Sequence, residues 1–285
     1  MHPIPQAKKE RIKMAERRIS GQGQIAVYLG KCFRLFRNEK QWKNFLSSFI
    51  IIVIISMVTG PDMFNTYDAT NKGAFAVISA CIWSGLFNSI QSICRERAII
   101  KREYRTGLRI SSYILAHVIY EMFLCAGESM IVLIVVLVRN HSHLPPSGLV
   151  LPMFIELYLT IFLTTFCADM IAMLVSCIVR NEMSAMMIMP FILVVQLVMA
   201  GVVFDLTGIT ELISYLTASR WGVQAIISIA RTNSSVDLQA EWLANAGTGG
   251  AGVLMKDWLL LLVFCLIYIV LAIIMLGFVD NDERS

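Results

Sequence analysis

The sequence predicts an all-α membrane protein: six transmembrane helices, an N-terminal amphipathic interface helix, a short charged cytoplasmic helix and re-entrant helices on the outer side. Three observations predict it. Of 285 residues, 57% are hydrophobic and only 15% are charged. Soluble domains carry roughly 45–50% apolar and about 25% charged residues, and so few charges could not cover so much apolar surface in water. Six apolar segments approach or reach the roughly 20 helical residues that cross a bilayer core. Lys and Arg gather beside those segments, mostly on one side.

Residues 1–23 form a basic cytoplasmic segment carrying Lys8, Lys9, Arg11, Lys13, Arg17 and Arg18. In residues 24–41, Ile25, Tyr28, Leu29, Cys32, Phe33 and Phe36 recur at helical spacing, flanked by Lys31, Arg34 and Arg37. Such a helix is expected to lie in the cytoplasmic interface, apolar face in lipid and basic groups at the phosphates. The alternative is a helix packed on a soluble partner.

Residues 42–280 hold the six spans. Span 1 is Phe45–Thr59, somewhat short, with Trp42 as an interface anchor. Span 2 is Ala74–Ile93 and uncharged, and span 3 is Ser112–Val138. Span 4, Leu149–Val179, is long enough to tilt or break near Pro152. Span 5, Ser184–Phe204, contains Pro190, and span 6, Trp258–Phe278, is again uncharged. Between the last two lie apolar pieces at Ile209–Leu216 and Arg220–Ile229, each too short to cross, which read as re-entrant or interfacial helices. The Gly-rich stretch 231–256 reads as an exposed loop, and 281–285 as a cytoplasmic tail. The first apolar run starts only after residue 44, so no cleavable signal peptide is expected.

Nineteen of the 24 Lys and Arg residues fall on the side of the N-terminal segment and the span 2–3 loop. The positive-inside rule then places both termini in the cytoplasm of a cell-membrane protein.

Composition excludes several classes. The basic residues flank apolar spans rather than paving a soluble face, so nucleic acid is not an expected partner. The seven cysteines form no CxxC pair, which argues against a disulfide framework or a zinc site. A Walker A loop would need GxxxxGK[ST]; Gly30-Lys31 is followed by Cys32, so no phosphate-cradling loop is expected in this chain. Trp83-Ser84-Gly85 lacks the first glycine of a GxSG serine motif, and no HExxH helix is present. The chain therefore reads as a non-enzymatic membrane component. His141 and His143 form an HxH pair without a carboxylate or cysteine nearby, more a polar loop than a metal site. Asn233-Ser234-Ser235 matches a glycosylation sequon, as chance alone also permits. The methionines around Met183, Met186, Met187 and Met189 suit a deformable packing surface, or ordinary lipid contact.

Four acids lie within spans: Glu121, Glu128, Glu156 and Asp169. A charge at the bilayer centre costs about 2.5–3.5 kcal/mol on insertion scales, so such residues are functional candidates. Glu121 and Glu128 are seven apart and share a face of span 3. The two readings are structural pairing, with His117 or neighbouring spans, and a proton or substrate relay.

The cytoplasmic stretch Cys94–Arg109 mixes Arg95, Glu96, Arg97, Lys101, Arg102 and Glu103 around Ile99 and Ile100. A short charged helix at the membrane face suits docking to a soluble partner; a plain positive-inside loop is the alternative. Gly107 ends this helix, and Ser111-Ser112 is placed to cap span 3.

The run Arg95-Glu96-Arg97, Arg102-Glu103-Tyr104, Gly107, Ser111-Ser112-Tyr113, Ala116 and Glu121 resembles the coupling-helix signature of ABC type-2 permeases, nearest in character to the White or G subfamily of half-transporters. Ser219-Arg220-Trp221-Gly222 is similar to that family's stretch before its last span. The likeness covers most of residues 24–280. It implies a cytoplasmic coupling helix at 95–109 and a permease that pairs with a second copy or a related permease. It also implies docking of ABC ATPase subunits or domains, which would hold the ATP and Mg while this chain holds no cofactor. Arg95, Glu96, Arg97, Arg102 and Glu103 would lie at the ATPase contact. Trp83, Phe87 and Asn88 on span 2, with Phe191, Val194, Val198 and Met199 on span 5, would line an outward path for a hydrophobic or amphipathic substrate. The chain departs from the family in its cysteine-free outer loop, and no ATPase precedes the permease in this sequence, so the motor is expected to be a separate chain or to lie outside it. The competing reading is an ATP-independent carrier or channel using the acids of spans 3 and 4. Inverted repeats would favour it, and none is visible.

Overall fold

The computed structural model describes residues 21–38, 43–61, 63–204, 206–230 and 250–278. The basic segment 1–20, Trp42, the sequon and the acidic tail lie outside the described residues. Every regular element among those described is helical. In chain order they are α1 (Gly21–Asn38), α2 (Lys43–Thr59), α3 (Tyr67–Ser89), a 3₁₀ turn (Cys94–Glu96), α4 (Arg97–Arg105) and α5 (Ile110–Arg139), then α6 (Met153–Ile178), α7 (Glu182–Val198), α8 (Ile209–Ser214), α9 (Ala218–Ala230) and α10 (Ala251–Gly277).

Four long apolar segments have the length and composition to cross a membrane: the one that begins with α3, and helices α5, α6 and α10. Helices α2 and α7 are as apolar but have 17 residues each, about 25 Å of rise against a hydrocarbon core of about 30 Å. The exposed residues of α2 and α10 are those of a lipid-facing surface: Ile54, Met57 and Val58 on α2, and Leu259, Leu262, Leu266 and Val270 on α10. No water shell would tolerate such ridges.

Helix α6 is the hub, packed on α3, α5, α9 and α10. Its contact with α3 is close because Gly85 has no side chain. A Cβ there would meet the Thr165 carbonyl oxygen at 2.5 Å and the Asp169 amide nitrogen at 3.1 Å. Gly222 does the same for α9, where a Cβ would stand 2.7 Å from Thr164 Oγ1. Small residues at such crossings let helix backbones approach, which is how helices associate where no hydrophobic force acts between them. On the other flank of α6, Trp258 Nε1 of α10 donates to Thr160 Oγ1 at 2.9 Å.

Several boundaries differ from the sequence reading. The second apolar helix runs Tyr67–Ser89, seven residues earlier at its start than Ala74, because Thr66 caps it by accepting from the Ala69 amide at 3.3 Å. The expected break at Pro152 is the true start of α6; Leu149–Leu151 form no helix but fold back onto Glu156. The serine cap of the third span is absent: Arg109 holds the N-cap position without a side-chain bond, and Ser112 is buried inside α5. Helix α10 starts at Ala251, so it includes Lys256 and Asp257 and is not uncharged. Helix α7 ends at Val198, short of Phe204, and Pro190 within it leaves the Met186 carbonyl without its helical donor.

Candidate functional site

The charged stretch after α3 folds as an elbow, the 3₁₀ turn followed by α4. Gly107, at φ +108°, closes it. The Leu108 amide reaches the Glu103 carbonyl at 3.0 Å and the Gly107 amide the Tyr104 carbonyl at 3.1 Å, the paired bonds of a Schellman stop that a left-handed glycine makes possible.

The elbow is fastened on two sides. On one side is α1. Lys31 Nζ donates to Glu96 Oε2 at 2.7 Å, and the Tyr113 hydroxyl donates to the same oxygen at 2.9 Å. The Tyr28 hydroxyl donates to Glu103 Oε2 at 2.7 Å; burial first, then the bond and charge of Glu103, hold it above its ordinary range, so it stays a donor. Gln24 spans the stop, donating to the Gly107 carbonyl at 3.3 Å and accepting from the Arg109 amide at 3.0 Å. On the other side is the C-terminus of α6, whose last carbonyls have no helical partner. Arg97 Nη1 donates to the carbonyls of Cys177 at 2.9 Å and Val179 at 2.7 Å, and Ser176 Oγ accepts from the Ile93 and Cys94 amides, both at 3.0 Å. A cation at a helix C-terminus also answers the helix dipole.

These bonds sort the five residues expected at a partner contact. Glu96 and Glu103 turn toward α1, and Arg97 toward α6. Arg95 and Arg102 are exposed, on the same outward face as Ala98 and Ile99.

Helix α1 also departs from expectation. Its apolar stripe packs on its own bundle: Tyr28 meets Tyr113 edge-on at 5.3 Å, Phe33 meets Tyr120 and Phe123 at 5.8 and 5.4 Å, and Phe36 meets Phe45 at 6.2 Å. Cys32 lies 3.9 Å from His117 Nε2, and burial pushes its thiol up to about 12, with Glu96 and Glu121 adding to the shift.

The four acids within the apolar helices are all buried, between 0% and 2% exposed. They do not act alike. Glu156 accepts from the amides of Val150 at 2.6 Å, Leu151 at 2.9 Å and Leu149 at 3.0 Å. It is the clasp of the turn before α6, with both oxygens occupied. Glu128 accepts from Ser84 Oγ at 2.6 Å and from Asn88 Nδ2 at 2.9 Å, and Ser84 in turn meets Ser48 at 2.6 Å. Asp169 accepts from Ser89 Oγ at 3.2 Å and from the Cys125 thiol. Glu121 Oε2 has no hydrogen-bond partner among the described residues, and His117 turns to Cys32 instead of to it.

Of the residues expected along a path, Trp83 and Phe87 are exposed and stack at 6.1 Å between centroids. Phe191 at 73% and Val194 at 56% exposure are the open face of α7; Val198 and Met199 are partly buried. Asn88 differs: its amide is committed to Glu128. Of the stretch Ser219–Gly222, Arg220 stacks on Tyr215 at 4.1 Å and bonds to Ser214, while Trp221 Nε1 donates to the Tyr215 carbonyl at 3.0 Å. No cluster of metal-ligating side chains occurs among the described residues.

A family model described as ABC-2 type transporter matches residues 24–230, which takes in α1, the elbow, the buried acids and α9. The chain belongs to the ABC-2 type transporter family. It is thus a multi-pass transmembrane permease component, as the coupling-helix signature implied. It is also 27% identical, over 146 residues, to the ABC transporter ATP-binding/permease protein Rv1747 of Mycobacterium tuberculosis. That alignment takes in 50% of this chain and 17% of the relative's length.

In this ABC-2 chain the sequence reading did not find the elbow's fastenings. Lys31 and Tyr28 were legible only as members of an amphipathic stripe, yet their three-residue spacing puts both on the flank that meets Glu96 and Glu103. Ser176 carried no signal at all. Asp257 was missed because the last span was started at Trp258, seven residues after the helix begins; it is 0% exposed and neither oxygen has a hydrogen-bond partner among the described residues.

Proposed function

We propose that this chain is the membrane permease of an ATP-driven exporter, with the hydrolysis done by an ABC ATPase that is a separate subunit or a fused domain. The observation that carries the reading is the elbow. It is fastened inward by Glu96, Glu103 and Arg97, while Arg95, Ala98, Ile99 and Arg102 face outward. A cationic face around one apolar side chain suits an acidic surface with an apolar notch on the motor. The family supports such a motor, and so does the printed name of the mycobacterial relative, which joins ATP-binding and permease.

In this reading α2, α3, α5, α6, α7 and α10 are six spans, with both termini and the elbow in the cytoplasm. The short helices α8 and α9 lie on the outer side. The chain pairs with a second permease through the open face made by Trp83, Phe87, Phe191 and Val194, along which a hydrophobic or amphipathic substrate moves outward. ATP and Mg are held by the motor.

The test is reconstitution with an ABC ATPase in proteoliposomes. Ile99→Asp and Arg102→Glu are expected to cut permease-stimulated hydrolysis at least about tenfold, since losing a central apolar anchor or reversing a charge costs on the order of 2 kcal/mol at an interface. Stimulation unchanged in both would sink the docking claim. The second reading, an ATP-independent carrier, draws on the buried acids Glu121, Glu128 and Asp169; Glu156 is taken from it by its three amide bonds. Solute flux without any ATPase, lost when those three acids are neutralised, would favour it.

A further inference from the structure

Polar residues climb one face of α5 from the elbow into the bundle. Tyr113, His117, Glu121 and Cys125 follow each other at four-residue intervals, and Glu128 and Ser129 stand on the next turn. All are buried. At the foot, Tyr113 bonds to the partly exposed Glu96, and its ring lies 4.6 Å from that of His117. At the top, Glu128 is joined to Ser84, Asn88 and, through Ser84, to Ser48. Asp169 enters from α6 between Cys125 and Ser89. Three rungs carry a buried polar atom without a hydrogen-bond partner among the described residues: His117 Nδ1, Glu121 Oε2 and Ser129 Oγ.

The groups facing this ladder can be named by element. Helix α1 presents Tyr28, Lys31 and Cys32, the elbow Glu96, α2 Ser48, α3 Cys81, Ser84, Asn88 and Ser89, and α6 Tyr158, Asp169 and Cys177. Lys31 is the cation among them, and it is already held by Glu96 at the foot. Three carboxylates in a low-dielectric core, with no cation bonded to them among the described residues, would be prohibitively costly. A neutralising ion is required, and the described residues form no group placed to hold a metal.

We propose that the ladder is a proton-binding site, loaded from the cytoplasm by way of Glu96, Tyr113 and His117 onto Glu121, Asp169 and Glu128. Each loaded proton comes from cytoplasmic water and forms one O–H bond on a carboxylate, cancelling one negative charge. Because Glu128 holds Asn88, next in sequence to Phe87, loading also changes the grip on the helix face that carries Trp83 and Phe87. The proposal needs no motor, so it can fail while ATP-driven export stands, and the reverse.

The experiment is infrared difference spectroscopy of the full chain in lipid nanodiscs, in water and in deuterium oxide. A deuterium-sensitive carboxylic-acid C=O band is expected at neutral pH, reduced in Glu121→Gln and in Asp169→Asn. These near-isosteric changes preserve shape, and circular dichroism identifies any variant that has not folded. After a pH jump, His117→Leu is expected to slow growth of the band about tenfold or more with its final amplitude unchanged, as loss of a relay group would. No band at neutral pH, or one unchanged in the triple variant E121Q/E128Q/D169N, overturns the site. A band that shrinks when sodium replaces choline overturns the proton as occupant. An unaltered rate in His117→Leu overturns the cytoplasmic route.

Discussion

Gly85 shows how much one missing side chain can decide. Its Cα faces the Thr165 carbonyl so closely that an added Cβ would stand 2.5 Å from that oxygen. Backbone cannot retreat as a flexible side chain can, so Gly85→Val is expected to lower stability by about 3 kcal/mol. Unfolding by a denaturing detergent, followed by circular dichroism, measures it; a midpoint equal to wild type would refute the close crossing. Glu156 is the second such position. Glu156→Gln keeps one carbonyl acceptor but loses the charge that faces three amides, at an expected cost of about 2 kcal/mol. In the same assay Glu128→Gln keeps acceptors for Ser84 and Asn88 and is expected to cost less. At this scale the sequence announced four of the buried acids, though not Asp257, and for none of them what it does. Burial follows from sitting inside an apolar run, whereas the amides that clasp Glu156 come from a non-helical turn whose path no periodicity encodes. Asn88 makes the same point from the other side, since a position on a helix face does not say which neighbour its amide will meet.

At the scale of elements, the amphipathic stripe of α1 was plain in the sequence, and its partner was not. Spacing identifies an apolar face but is silent on whether lipid or protein covers it. Here aromatic rings of α5 cover it, and polar groups on its flank hold the elbow. The ion pair of Lys31 with Glu96 is only partly exposed, so it should matter more than a surface pair, which is worth about 0–1 kcal/mol. Lys31→Glu alone is expected to weaken permease-stimulated hydrolysis, and Lys31→Glu with Glu96→Lys to restore most of it. A double variant no better than the single one would show that α1 does not position the elbow. The stop at Gly107 was legible, because a glycine after a charged helical run has one economical use there. The serine cap proposed for α5 was not realised, since Ser112 is spent inside the helix, where it is buried.

For the molecule as a whole, partition between water and lipid made the architecture readable. An apolar fraction of 57% in long uninterrupted runs admits few solutions other than helices in a bilayer. Apolarity alone does not settle the two 17-residue helices, which are shorter than the core they would cross unless the bilayer thins or other segments extend them. Sidedness is open to a direct check. A single cysteine at position 102 in a cysteine-free background is expected to react with a membrane-impermeant maleimide only after the membrane is opened, and one at position 141 in intact cells. Labelling of position 102 from outside would invert the topology and remove the docking scheme with it.

The clamp at the C-terminus of α6 makes that helix a lever. Arg97 and Ser176 tie the elbow to the last turn of a rod of 26 residues, about 39 Å long. Tilting such a rod by roughly 5° at its foot would swing its head by about 3 Å. The rod carries Asp169 part-way along and is gripped by Gly85, which lies against its backbone, and by Gly222, which lies against the Thr164 side chain. A nudge at the elbow would therefore be felt as a change of fit deep in the bundle, with no side chain needing to travel the distance.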